Sequence, residues 1–212
     1  RARGFSLLEV LVATTLLAAG MALAFAALSN TTRATAAAEA EAARSERLRA
    51  VQAFLRRQVE GAMAVPIELP PADESPRVFE ASSTRIRLVA PMPGYLSRGG
   101  PHVQTFELVR GAGGLRLEFE HQMLGPDGPI ENDRPPEVLL DGIAEASFAV
   151  RGTDELGEPG AWTGDWETTE QLPRLVRLQL RFADPRAHWP ELVAAPRLGQ
   201  SLPVVPGPGD LQ

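Results

Sequence analysis

The chain begins Arg1-Ala2-Arg3-Gly4-Phe5-Ser6-Leu7-Leu8-Glu9-Val10, and an apolar run without charged side chains then continues to Thr32. A helix needs roughly 20 such residues to cross a bilayer core of about 30 Å, so this run is long enough to span a membrane. Backbone polar groups in lipid must bond within the segment, which favours one continuous helix. Because Arg1 and Arg3 precede the run, we predict a cytoplasmic N-terminus with the rest of the chain on the other side of the membrane.

The length of the run and the carboxylate of Glu9 argue against a secretory signal peptide. Such a peptide has an apolar core of about 7 to 15 residues, followed by a cleavage site of small residues. An ionisable side chain at membrane depth costs on the order of 2.5 to 3.5 kcal/mol unless it finds a partner. We therefore expect a cationic partner for Glu9; the alternative is a plain signal anchor in which Glu9 is incidental.

The stretch Gly4-Phe5-Ser6-Leu7-Leu8-Glu9-Val10-Leu11-Val12-Ala13 resembles the class III signal of type IV pilins and pseudopilins. In that family a membrane peptidase cuts after the glycine on the cytoplasmic face and methylates the new N-terminal phenylalanine. The resemblance implies a leader of residues 1–4, cleavage between Gly4 and Phe5, and an N-methylated Phe5. Ser6 stands where threonine is more usual.

The same resemblance assigns Glu9, the fifth residue of the mature chain, to filament assembly. In the family this carboxylate pairs with the free amine of the first residue of a neighbouring subunit. An ammonium group within a few Å compensates a carboxylate that water cannot reach, so the role agrees with the electrostatics of the position.

Composition indicates one extracytoplasmic domain of ordinary size after the leader and helix, since the chain has 212 residues. The absence of Cys means that packing and hydrogen bonds hold this domain together. Many type IV pilins carry a C-terminal disulfide loop, so the lack of Cys favours a secretion pseudopilin. Residues 61–212 carry 13 Arg and 22 acidic residues, a net charge of −9, which argues against a nucleic-acid partner.

The membrane helix, residues 5–32, is predicted to continue as an amphipathic helical stem over residues 33–65. High helix propensity extends to Ala64, and the first Gly after the membrane run is Gly61. Apolar residues at steps of three and four lie on one face of this stem, where we expect a ridge that contacts a partner helix: Leu48, Val51, Leu55 and Val59. Pro66 and the Pro70-Pro71 pair end the helix.

Residues 66–186 are predicted to form an antiparallel β domain, because apolar and polar residues alternate with period two. The clearest strand is Leu175 to Phe182, and Gly111 to Gly114 joins two strands as a hairpin. Residues 187–212 are predicted to be a mobile, Pro-rich C-terminal tail. The predicted fold class is α+β and pilin-like, with a long N-terminal helix packed on antiparallel sheet.

Within the pseudopilins, three features resemble the minor pseudopilin J of type II secretion. The first is a length near two hundred residues. The others are the segment Leu139-Leu140-Asp141-Gly142-Ile143 to Phe148, and Trp162 and Trp166 ahead of Leu172-Pro173-Arg174-Leu175-Val176-Arg177-Leu178. Pro173 suits the entrance of a strand, where its missing N–H costs nothing.

The resemblance implies a component of the filament tip, in a short periplasmic filament whose growth pushes folded proteins through an outer-membrane channel. Its implied partners are the minor pseudopilins I and K, with H and the major pseudopilin below them. The prepilin peptidase is the implied processing enzyme, and the bacterial inner membrane is the implied location.

No catalytic, cofactor or metal site is predicted from the residue patterns. His102, His121 and His188 lack the spacing that places two ligands on one helical face, and we interpret them as surface or strand residues. Acidic residues around Glu131 and from Asp154 to Glu167 offer oxygen ligands for calcium, but they lack EF-hand spacing and occur in Gly- and Pro-rich loops.

Two other functions stay open at this point. The first is a minor type IV pilin that serves motility, adhesion or DNA uptake, although the acidic domain counts against contact with DNA. The second is a membrane-anchored periplasmic enzyme or ligand-binding domain, which would need a convergent polar site.

Overall fold

The computed structural model describes residues 6–71, 75–94, 99–153, 157–166 and 170–197. The chain divides into two compact units, residues 1–47 and residues 48–212. One long helix, α1 (Leu7–Glu60), contributes residues to both units. The second unit also contains all of the strands described below.

The first unit is helical throughout its described part and begins with a cap at Ser6. The backbone N–H of Glu9 donates to Ser6 Oγ at 3.2 Å, the arrangement that a Ser-x-x-Glu capping sequence forms at a helix start. The stretch Leu7–Ser29 is long and apolar enough to cross a membrane, and none of its best window is buried within the protein. Thr14 and Thr15 donate their hydroxyls to the carbonyl of Leu11, each at 3.0 Å, so these polar groups are satisfied inside the helix.

The helix ends at Glu60, four residues earlier than its propensity alone predicts. Gly61 closes the last turn by donating to the carbonyl of Arg57 at 2.9 Å. The next residues leave the helix because Met63 donates to the carbonyl of Val89 at 2.8 Å and forms a bridge to the sheet. Tertiary pairing therefore overrides helix propensity at this point.

The described part of the second unit contains nine strands. They are β1 (Phe79–Ala81), β2 (Arg85–Pro91), β3 (Pro101–Gly111), β4 (Gly114–Gly125), β5 (Gly128–Ile130), β6 (Glu137–Thr153), β7 (Pro159–Thr163), β8 (Leu175–Phe182) and β9 (Leu192–Ala194). They form one antiparallel sheet in the order β1-β2-β3-β4-β6-β8-β9, with β5 added to β4 and β7 added to β6. The α+β fold class is thereby confirmed.

The hydrophobic core lies between the last turns of α1 and one face of the sheet. Every second residue of the central strands points to this face, as the alternating pattern predicts. Phe54 of the helix packs against Phe106 and Phe119 of the β3–β4 hairpin, with ring centroids 6.1 and 5.0 Å apart. Leu55 is 1% exposed, so its truncation to Ala would cost about 2 to 5 kcal/mol.

The predicted hairpin at Gly111 to Gly114 joins β3 and β4 and depends on glycine. Gly114 has φ +114°, and a Cβ there would lie 2.5 Å from the carbonyl oxygen of Ile143 on β6. Glycine thus allows both the turn and the close approach of the neighbouring strand. The segment through Asp141-Gly142 is one long strand, β6, with a register shift next to Gly142, whose φ is +64°.

The expectation of a mobile tail from Ala187 is corrected by the structure as far as Arg197, the last described residue. Trp189 is buried, and β9 pairs with β8 through Leu192 and Ala194. The outer edge of this short strand is covered by α1: Gln52 donates to the carbonyl of Pro190 at 2.9 Å, and Arg56 donates to that of Val193 at 2.8 Å. A strand of three residues, such as β9, is too short to be recognised from the alternation of apolar and polar residues in the sequence.

Candidate functional site

The candidate assembly site is the start of α1, where Glu9 lies in the first helical turn. A carboxylate is stabilised here by the exposed N–H groups and the positive end of the helix dipole. Its neighbours Leu7, Leu8 and Val10 are large, apolar and at least half exposed. Glu9 makes no ion pair with any residue that the structure describes. Gly4 and Phe5, the predicted processing residues, lie outside the described residues.

The predicted partner-helix ridge is used within the chain itself. Val51, Leu55 and Val59 are buried against the sheet at 8%, 1% and 1% exposure, and Leu48 is half-buried against the same core. The contact that we expected with a partner helix is therefore not offered by Val51, Leu55 and Val59. An amphipathic pattern predicts that one face is covered, but it does not distinguish the chain's own sheet from another subunit.

The opposite side of the stem remains accessible in the second unit. Ala50, Ala53 and Arg57 are exposed there, at steps of three and four residues that place them on one side of the helix. Two small side chains on this side allow another helix to approach closely. We call this surface, defined by Ala50, Ala53 and Arg57, the exposed face of the stem.

A buried polar pair connects the helix to the sheet above this core. Gln104 of β3 donates from Nε2 to Oε1 of Gln58 at 2.9 Å, and both side chains are almost fully buried. Burying an amide without a partner is costly, so this bond favours one register of the helix on the sheet.

His102 and His121, which the sequence pattern leaves separate, come together next to this pair. The β3–β4 register places Gln104 opposite His121, and the two imidazole rings lie 5.3 Å apart. His102 Nδ1 lies 3.1 Å from the carbonyl oxygen of Gly100. The signal that could have found this proximity is the nearly equal spacing of the two histidines from the hairpin turn.

Burial lowers the pKa of His121, and the nearby His102 and Arg134 lower it further against the opposing effect of Glu137 and Glu120. The imidazole is therefore neutral in the folded protein over a wider pH range than in the unfolded chain. The described residues contain no cluster of three or more His, Asp or Glu side chains arranged to hold a metal ion.

Acidification should destabilise the fold through His121. The unfolded chain binds more protons below its ordinary histidine pKa of about 6.5, because the folded-state pKa is lower. Stability is thus lost as the pH falls below about 6.5, and His121→Gln should reduce this dependence. The measurement is the free energy of unfolding in urea between about pH 5 and pH 7.5. The exposed His188→Gln serves as the control, and an equal effect of both variants would contradict the assignment.

Comparison with known proteins finds matches to both the N-terminal segment and the rest of the chain as far as residue 188. A family described as type II secretion system (T2SS), protein J, matches residues 26–188, and a prokaryotic N-terminal methylation motif matches residues 1–25. The type II secretion system protein J of Xanthomonas campestris pv. campestris is 39% identical over 198 residues, which cover 92% of this chain and 93% of that protein.

These matches confirm the resemblance inferred from the leader and from the segments around Leu139 and Leu172. They favour secretion over the type IV pilus, since the family is a structural component of a secretion system. With its apolar N-terminal helix, the chain is membrane-anchored and associates with other components of the pseudopilus. It belongs to the type II secretion system protein J family and is a minor pseudopilin.

Proposed function

We propose that this minor pseudopilin works in the tip complex of a periplasmic pseudopilus, together with the minor pseudopilins I and K. H would join this complex to the shaft of major pseudopilin. The chain would be inserted once in the inner membrane, with its β domain in the periplasm, and would contribute to the export of folded proteins. Its part in this process is structural, without catalysis.

The observation that carries the proposal is the likeness to a protein J along 92% of the chain, which includes both the anchor and the β domain. The acidic β domain adds support, because a net charge of −9 over residues 61–212 disfavours the DNA-uptake role of some pilins. The exposed apolar helix with Glu9 near its start adds further support, since it is suited to packing among other subunits.

We propose that processing occurs between Gly4 and Phe5 by the prepilin peptidase, and that Glu9 pairs with the amine of a neighbouring subunit. The partner contact expected from the buried ridge is reassigned to the exposed face of Ala50, Ala53 and Arg57. The axes of packed helices lie about 8 to 10 Å apart, depending on the side chains at the contact, so a bulky residue there would separate them.

The experiment is a binding assay with a chain that lacks residues 1–32, mixed with the purified soluble domains of I and K. We expect a stable complex that contains all three proteins in a fixed stoichiometric ratio. Ala53→Arg should weaken it, because the new side chain occupies the proposed contact, whereas Ala112→Arg at the exposed tip of the β3–β4 hairpin should not. Absence of binding at micromolar concentrations would contradict the tip role, and equal effects of the two variants would contradict the proposed face.

A further inference from the structure

A second surface of the β domain has features of a binding site. It lies apart from the exposed helix face that we propose for contacts with other subunits. It lies on the face of the sheet opposite the helix-covered core, where β7, β6 and β8 run side by side. Val150 and Val176 point into the core, so the residues next to each of them in sequence point to the opposite face of the sheet. We call this surface the Trp162 patch and define it by Arg151, Trp162, Leu175, Arg177 and Val193.

Trp162 is the centre of the patch and is flanked by two guanidinium groups. The Cζ atom of Arg177 lies 4.4 Å from the centroid of the Trp162 ring, and that of Arg151 lies 5.8 Å from it. Both distances are within the range of a cation–π contact. Ala149, directly opposite Arg177 in the register, is only 9% exposed, because larger side chains cover it.

The two arginines differ in their hydrogen bonds. Arg151 donates from Nε to the carbonyl of Gly160 at 2.5 Å and is thereby tied to β7. The side chain of Arg177 makes no hydrogen bond or ion pair within the part of the chain that the structure describes. Its Nε is buried and has no acceptor. The stacked guanidinium of Arg177 is therefore held in place on one side and left without an acceptor for its donors.

Such a group is suited to bind a carboxylate. A guanidinium presents parallel N–H donors that match the two oxygens of a carboxylate, and stacking on an aromatic ring reduces the entropy lost when it binds. Trp and Arg are also the residue types that contribute most to protein interfaces. The surrounding Leu175 and Val193 are half-buried and apolar, so they favour apolar neighbours for that carboxylate.

We propose that the Trp162 patch binds an acidic segment of another protein, in which a Glu or Asp flanked by apolar side chains pairs with Arg177. Charge complementarity supports this occupant, because the patch as defined carries two guanidinium groups and no carboxylate, on a domain with a net charge of −9. The same net charge disfavours extended polyanions. The surface acts beside the helix contacts proposed above, and its failure would leave the tip role intact.

The test uses the full chain in detergent and two labelled peptides, one of alternating Leu and Glu and its counterpart of alternating Leu and Gln. Fluorescence anisotropy should show saturable binding of the Leu–Glu peptide that weakens as salt is added. The Leu–Gln peptide should bind at least about tenfold more weakly, a difference of about 1.4 kcal/mol. Equal binding of the two peptides, or no saturable binding of either, would overturn the proposal.

Variants of the patch make the test specific. Arg177→Gln should weaken binding of the Leu–Glu peptide about tenfold. Arg177→Lys should weaken it less than Arg177→Gln does, because Lys keeps the positive charge but lacks the planar fork. Arg181→Gln is the matched control, since Arg181 lies on the same strand and face but is paired with Glu145 at 2.7 Å. Unfolding in urea checks that the variants remain folded. Equal binding by Arg177→Gln and the native chain would overturn the proposal.

Discussion

Replacing Glu9 by Val should abolish the export of type II substrates in cells that depend on this chain, while the variant is still inserted and cleaved. The side chain lies in an apolar helix that spans membrane depth, and no residue that the structure describes neutralises it. A carboxylate at this depth persists only with a partner, and the amine of a neighbouring subunit is the proposed one. Val removes the attraction and leaves that amine without its counter-ion.

Two further variants separate charge from helix capping. Glu9→Gln keeps the shape and hydrogen-bonding capacity of the side chain but not its charge, so it should fail like Glu9→Val. Ser6→Ala removes the cap on the Glu9 N–H at a cost of about 1 kcal/mol, yet it should leave export nearly normal. The readouts are the secreted substrate in the medium and the size of the chain on an immunoblot. Normal export by both Glu9 variants would contradict the assembly role.

Replacing Gly4 by Leu should leave the precursor uncut, so that the leader stays attached and no free amine forms at Phe5. The resemblance makes this glycine the determinant of cleavage, because a side chain at that position would fill the space that glycine leaves for the peptidase. The loss should be nearly complete, and export should be lost with it. An uncut subunit also lacks the amine with which Glu9 of a neighbour is proposed to pair.

Mass spectrometry of the purified chain tests this directly. The native protein should begin at an N-methylated Phe5, and Gly4→Leu should retain residues 1–4. Gly4→Ala is the graded control, since one methyl group should permit partial cleavage. A Gly4→Leu product that begins at Phe5 would show that glycine is not required there.

The sequence predicted those parts of the molecule whose pattern is local. The Leu175 to Phe182 alternation and the glycines from 111 to 114 report strand and turn through side-chain period and backbone freedom, and the structure contains both. The position of the membrane segment follows in the same way from composition and length.

Features that depend on distant residues were missed or misread. The Val51 and Leu55 face is covered by the chain's own sheet, and β9 is held by Gln52 and Arg56, more than 130 residues away. The approach of His102 to His121 depends on strand register, which a one-residue slip would change. Stacking of Arg177 on Trp162 likewise joins β8 to β7 across β6 and has no sequence signature.

Deletion of the gene for this chain, with two readouts, tests whether the chain is a minor pseudopilin of secretion. We expect folded type II substrates to accumulate in the periplasm and disappear from the medium, motility driven by type IV pili to be unchanged, and the native chain to restore export. Unchanged export with lost motility would contradict the role in secretion and assign the chain to the type IV pilus.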